Sequence, residues 1–250
     1  MFPSRPARAV AGASLALAAG LLLAACGDSG GLVSAGATAT ASGPTRLWPG
    51  EPPASSPAYD YGEAETEVVK GVKAPGGNIR QVDPVAVVRA EIAAHPEMYS
   101  GSDAVYAGTT ARMADCGGGA ERSRCPVLDA YYRDLTGDGR EDMVLGFRLL
   151  PGNQTAVRMY TVRTDRLVQV LASDDAVLAV ELAGRTVIIR SPAAIVGYEY
   201  RTQWTWDEDQ LAMLLTRDEI LRVGRSARPS PGGGTTSAAT PRPSSSGGPR

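Results

Sequence analysis

With one histidine and three cysteines among its 250 residues, the chain is short of the groups that most enzymes rely on. The single imidazole, His95, precedes Pro96 at an expected helix end, which suits a solvated cation better than a general base. No G-x-S-x-G elbow, phosphate-binding glycine loop or H-E-x-x-H pair occurs. Adjacent acids such as Asp174/Asp175 and Asp218/Glu219 remain. Neighbours on a strand point to opposite faces, so neither pair forms a carboxylate dyad by itself. The expectation is a non-catalytic protein. A net charge of −2, with 21 % charged and 43 % apolar residues, also excludes a collagen, a coiled coil and a strongly basic nucleic-acid binder.

The near-neutral total conceals an uneven distribution. Arg5 and Arg8 precede an uncharged run over residues 9–25. Seventeen residues at the α-helical rise span roughly 25 Å, short of the roughly 30 Å hydrocarbon layer, so residues 1–25 read as a cleaved signal peptide. The run ends Leu23-Ala24-Ala25-Cys26-Gly27, which resembles the bacterial lipoprotein lipobox. That resemblance implies a diacylglycerol on the Cys26 thiol, with palmitate-class acyl chains, and attachment to the outer face of the cell membrane. Residues 26–79 are rich in Gly, Ser, Ala, Thr and Pro and read as a lipidated cysteine followed by a flexible tether. Trp48 reads as incidental in it. Residues 225–250 hold four Arg, no acid and no aliphatic larger than Ala, and read as a disordered tail.

The expected globular domain covers residues 80–224, with 16 Arg against 21 Asp plus Glu, a net −5 that disfavours a phosphate-backbone binder. Asp83 is a good N-cap and Pro84 a good first helical residue. Val85, Val88 and Ile92 then share one face of a helix ending near His95. A weaker helical stretch covers 103–113. From Pro126 onward the pattern changes to strands over 127–133, 142–149, 155–162, 167–172, 176–183, 186–190, 198–206 and 211–216. The turns between them are too short for parallel crossovers. Tyr198, Tyr200, Thr202, Trp204 and Trp206 alternate onto one face, read as the core side of the sheet rather than as a ligand platform. The fold class is α+β, with one or two N-terminal helices on an antiparallel meander.

Cys116 and Cys125 bracket a polar, glycine-rich loop and are the thiols left once Cys26 is lipidated. A disulfide here stabilises by roughly 2–3 kcal/mol in the chain-entropy model. A zinc pair would want a third thiol or a histidine, and redox pairs usually sit two residues apart. The segment 134–142 places Asp134, Thr136, Asp138 and Asp142 at loop positions 1, 3, 5 and 9, with the Arg140 carbonyl at 7 and Gly139 at 6. An EF-hand needs a bidentate Glu at position 12, where Leu145 stands. The loop instead resembles the strand-loop-strand calcium loop of FG-GAP-type repeats, which implies those side chains as Ca2+ ligands. The other reading is a metal-free turn with Arg133 and Arg140 neutralising the carboxylates.

The lipobox, the polar tether, Cys125-Pro126-Val127 running into Tyr131 to Gly139, and Tyr198-Glu199-Tyr200-Arg201 through Trp206-Asp207 together resemble actinobacterial lipoproteins of the CseA type. That resemblance implies a regulatory role, modulating an envelope-stress sensor kinase. Two expectations follow: a lipid-anchored module that binds an envelope protein or wall component, or a calcium-stabilised adhesion or scaffold domain.

Overall fold

A computed structural model describes residues 43–54, 66–117, 119–152 and 154–223. The expected signal peptide, Cys26 and the 225–250 tail lie outside those residues. The helix starting at Asp83 forms as its residues dictate. The Asp83 carboxylate accepts from the Val85 amide at 2.9 Å, and α1 runs Pro84–Ala94 with Val87, Val88 and Ile92 buried. One further turn, α2 (Pro96–Tyr99), and the short α3 (Ala107–Arg112) follow, the latter passing into a 3-10 turn over Met113–Gly117. The second helix is thus shorter than the 103–113 stretch its alanines suggest.

The class is α+β, and the ten strands among the described residues divide between two antiparallel sheets. One sheet orders β1 (Thr45–Leu47), β7 (Ala179–Ala183), β8 (Thr186–Pro192), β9 (Tyr198–Asp207) and β10 (Ala212–Arg222) from edge to edge. The other orders β2 (Glu67–Lys73), β6 (Arg166–Asp175), β5 (Gln154–Arg163), β4 (Asp142–Leu149) and β3 (Tyr131–Arg133). The helices cover one face of this β2–β6–β5–β4–β3 sheet, and the first sheet covers the other. On β4, Met143, Leu145, Phe147 and Leu149 join the helix-side core, while Val144 joins the core between the sheets. A strand covered on both faces has no polar side to alternate with, hence its continuous apolar run.

Two strands come from the stretch read as tether. β1 pairs with β7, Leu47 opposite Val180, and Trp48 is buried in the inter-sheet core with its indole N–H donating to the Asp129 carbonyl at 2.7 Å. Trp48 has φ +45, a left-handed conformation that costs about 1–2 kcal/mol, a cost the burial of the indole and its hydrogen bond outweigh. Gly146 supplies the room: a Cβ there would lie 2.7 Å from the indole ring. The tether reading therefore fails for 43–54 and for 66–79. Their low-complexity composition conceals long-range pairing with β7 and β6, which local pattern does not encode. Trp48→Ala is expected to lower unfolding free energy in urea by about 3–4 kcal/mol. A loss below about 0.5 kcal/mol would return Trp48 to a solvated linker.

Candidate functional site

The Asp-rich loop joins β3 to β4, so its ends are fixed by the pairing of Arg133 with Asp142. Within it the carboxylates turn to the backbone. Asp134 accepts from the Gly137 and Gly139 amides at 2.5 and 3.1 Å. Asp138 accepts from its neighbour Arg140, both at the backbone amide (2.8 Å) and at the guanidinium (2.7 Å). Asp142 accepts at Oδ2 from the Leu135 and Thr136 amides, each at 2.8 Å. Arg140 plays its expected neutralising part. Arg133 does not: its guanidinium donates to the Leu182 and Gly184 carbonyls and to Thr45.

The cation that does sit on the loop is Arg185, from the β7–β8 turn, whose guanidinium donates to the Leu135 carbonyl at 3.2 Å and to the Thr136 carbonyl. Gly137 takes φ +80, which strains any L side chain, and a Cβ there would also displace that guanidinium. Among the described residues no three His, Cys, Asp or Glu side chains converge to hold a metal ion. Two buried oxygens in the loop lack a well-aligned hydrogen bond, Asp142 Oδ1 and Thr136 Oγ1, on residues 1 % and 6 % exposed. The donor set thus fits a cross-braced turn, with Arg185 supplying the positive charge, better than a calcium loop.

The other singled-out residues are occupied structurally. Cys116 and Cys125 form a disulfide, S–S 2.04 Å with Cα atoms 4.7 Å apart. Beside it, hydrogen bonds from Arg124 and Arg112 hold the Asp115 carboxyl below its ordinary range. Asp174 pairs with Arg158 at 2.6 Å, while Asp175 accepts from Ser191 on the opposite sheet, so the two point apart. Glu219 pairs with Arg201 and Arg217 across the outer face of the first sheet. His95 lies between Glu67 and Glu97, at 3.4 and 3.6 Å. In the aromatic row, Trp204 is buried and Trp206 packs against the inter-sheet core, but Tyr198 is exposed, so only half the row serves as core.

Two features escape the sequence pattern. A cleft of about 110 Å3 opens at one end of the sandwich, lined by Trp48, Leu128, Gln154 and Val177 and by the Glu51–Arg148 pair. Its volume is below the roughly 300–1,000 Å3 of small-molecule sites. Beneath α1, Arg158 of β5 is buried and bonds Glu91 at 2.7 Å and Asp174 at 2.6 Å, with the hydroxyls of Tyr99 and Tyr160 donating to Glu91 at 3.4 Å. Burial alone would lower the Arg158 pKa, but Glu91 and Asp174 more than offset this and raise it well above the ordinary value. Burial and the Glu91 charge together push the Tyr160 hydroxyl up. Such a group is permanently charged and fully partnered, which suits bracing rather than proton transfer. The signal for it is weak: Glu91 lies on the apolar side of α1, and Arg158 interrupts an apolar strand.

Burial pushes the Asp142 carboxyl above its usual range, against the pull of the Thr161 hydroxyl and of the Thr136 and Leu135 amides. A carboxyl raised on folding binds more protons folded than unfolded, so its charge costs stability near neutrality and the cost fades as pH falls through the folded value. Asp142→Asn keeps an oxygen for the two amides and offers an N–H to Thr136 Oγ1. The variant is expected to be about 1 kcal/mol more stable than the parent at pH 7, with the gain shrinking toward pH 4, and the parent to melt identically in EDTA and millimolar Ca2+. A calcium-dependent rise in Tm that Asp142→Asn abolishes would assign Asp142 Oδ1 and Thr136 Oγ1 to an ion instead. No family model, curated protein or solved structure matches the chain.

Proposed function

We propose that the chain is a lipid-anchored module of the cell envelope that works by binding an envelope protein or wall component, an envelope-stress sensor kinase being the regulatory form of this reading. The observation that carries it is the pairing of the Leu23-Ala24-Ala25-Cys26 box with a disulfide in the folded part. Disulfides persist in oxidising compartments and are rare in the cytosol, so the Cys116–Cys125 bond favours the same side of the membrane as the lipobox does. The described ionisable side chains support binding over catalysis. Arg158, Glu91 and Asp174 satisfy one another in the interior, and Arg190 with Glu199 and Glu181 do so on the sheet face.

The calcium-stabilised adhesion reading has less support, since the Asp134, Asp138 and Asp142 carboxylates are engaged by backbone amides and by Arg140. Metabolic labelling with an alkynyl palmitate is expected to mark the parent chain in its host and to leave Cys26→Ser unmarked, with the variant released from the membrane fraction. Label retained in Cys26→Ser, or its absence from the parent, would overturn the anchor. Crosslinking in the intact envelope should capture a defined partner, and unchanged envelope-stress transcription after gene deletion would remove the regulatory form.

A further inference from the structure

β10 is the longest strand among the described residues and lies at a sheet edge, paired with β9 on one side and with no described strand on the other. The other edges are blunted. β1 and β3 are three residues each, and the pairing of β2 breaks between Val68 and Lys73. Short or irregular edges offer little template for a further strand. β10 has one interruption, a bulge between Leu215 and Arg217, and from Arg217 to Arg222 its ladder with β9 is regular. The Val223 amide donates to the Gly197 carbonyl at 2.8 Å. Main-chain groups alternate along a strand, so Arg217, Glu219 and Leu221 also turn theirs toward β9, and Asp218, Ile220 and Arg222 turn theirs away from it.

The side chains at the same three positions carry a pattern. Asp218, Ile220 and Arg222 stand opposite Thr202, Tyr200 and Tyr198, so they share one face. Ile220 is 55 % exposed, and Asp218 and Arg222 on either side of it are exposed as well. On the other face Arg217 pairs with Glu219, and Glu219 with Arg201. Asp218 and Arg222 have no ion-pair partner among the described residues. Four residues apart, at roughly 13 Å by strand rise, they do not reach each other. Opposite charges at equal spacing about an exposed aliphatic form a strand that complements its own reverse. An antiparallel copy centred on Ile220 sets Asp218 opposite Arg222 of the partner subunit, and Arg222 opposite the partner's Asp218. The neighbouring symmetric registers fail on charge: centring on Arg217, Asp218 or Glu219 sets like charges face to face, which is destabilising. Centring on Leu221 leaves Arg222 against an isoleucine.

We propose that β10 pairs edge to edge with β10 of a second copy of this chain, in the antiparallel register centred on Ile220, to form a two-fold dimer. The contact is isologous and closed, and it joins two five-stranded sheets into one continuous sheet. In this register Asp218 with Arg222, and Ile220 with its counterpart, are the pairs that exchange both main-chain hydrogen bonds. One alignment thus satisfies the backbone groups, the charges and the exposed aliphatic together. The seam is small beside a standard protein interface, which sets its dissociation constant on the scale of about 0.1 mM. The dimer requires neither a lipid anchor nor another envelope component.

The test uses the full chain carrying Cys26→Ser, purified in dodecyl maltoside, at concentrations up to about 0.5 mM. Sedimentation equilibrium is expected to show a monomer–dimer equilibrium. Asp218→Arg or Arg222→Asp alone sets like charges opposite each other at both ends of the seam and is expected to weaken the dimer about tenfold or more. The double variant exchanges the charges and is expected to return to within about threefold of the parent. Association through any other surface would not respond in this way. Oxidation of Ile220→Cys is expected to yield a disulfide-linked dimer, since the Cα atoms of such a pair lie about 5.5 Å apart, whereas Asp209→Cys at the exposed β9–β10 turn stays monomeric. A parent that is monomeric throughout the range overturns the proposal, and dimers that then form on deleting residues 224–250 would give the edge to the chain's own tail. A dimer that both single variants leave unchanged, or that the double variant fails to restore, overturns it equally. So does oxidation in the host envelope that joins position 220 to a different protein.

Discussion

The buried guanidinium of Arg158 is the constraint on which the three-layer arrangement depends. It rises from β5 toward the helices, beneath α1, and meets Glu91 on the helix and Asp174 on β6, with the Phe147 ring 5.5 Å away. An ion held there is costly, since desolvation takes several kcal/mol per charge, and only close partners with further hydrogen bonds recover it. Arg158 has both: two carboxylates and the Ser173 carbonyl at 3.2 Å. An apolar contact allows a helix to slide, but a bidentate charge pair admits one register. We take Arg158 as the residue that sets α1 on the sheet, and Val87, Val88 and Ile92 as the apolar face that then packs.

The opposite face of the same sheet needs its own cover, and the first sheet provides it with help from the strap at 43–54. Leu47 and Trp48 enter the inter-sheet core, and Glu51 reaches Arg148 on β4 at 2.7 Å. Arg148 donates as well to the Cys125 carbonyl at 2.9 Å, so the strap, β4 and the disulfide loop share one guanidinium. Near the other end of β4, Arg185 clasps the Asp-rich loop from the β7–β8 turn. Arginine takes the bracing role at each of these points, consistent with a chain that has 25 Lys plus Arg but only two lysines.

Much of this was legible where the physics is local. The Asp83-Pro84 start of α1, the turns of the meander, the strand over residues 142–149 and the Cys116–Cys125 bond follow from capping, periodicity and thiol count. What was not legible depends on distant residues. Thr45–Leu47 is a strand because β7 has an open edge, and Trp48 is core because Gly146 leaves a hollow. The division into two sheets is invisible to a period-two pattern, which gives the alternation of a strand but not its neighbours. The Asp-rich loop shows the limit most clearly. Its side chains match a calcium loop in spacing, yet Arg185, 43 residues beyond Asp142 in the chain, lies against its carbonyls.

The molecule that results is a braced scaffold in which arginine–carboxylate pairs tie its layers together. Arg158 and Glu91 act as a unit in holding α1 to the sheet. A double-mutant cycle of Arg158→Met and Glu91→Leu, followed by urea unfolding, tests it most directly. Each single variant is predicted to lose about 3–5 kcal/mol by stranding a buried charge, and the pair to lose less than the sum by about 2 kcal/mol or more. Losses that add within about 0.5 kcal/mol would mean that the two groups act independently and that Arg158 does not fix the seat of α1.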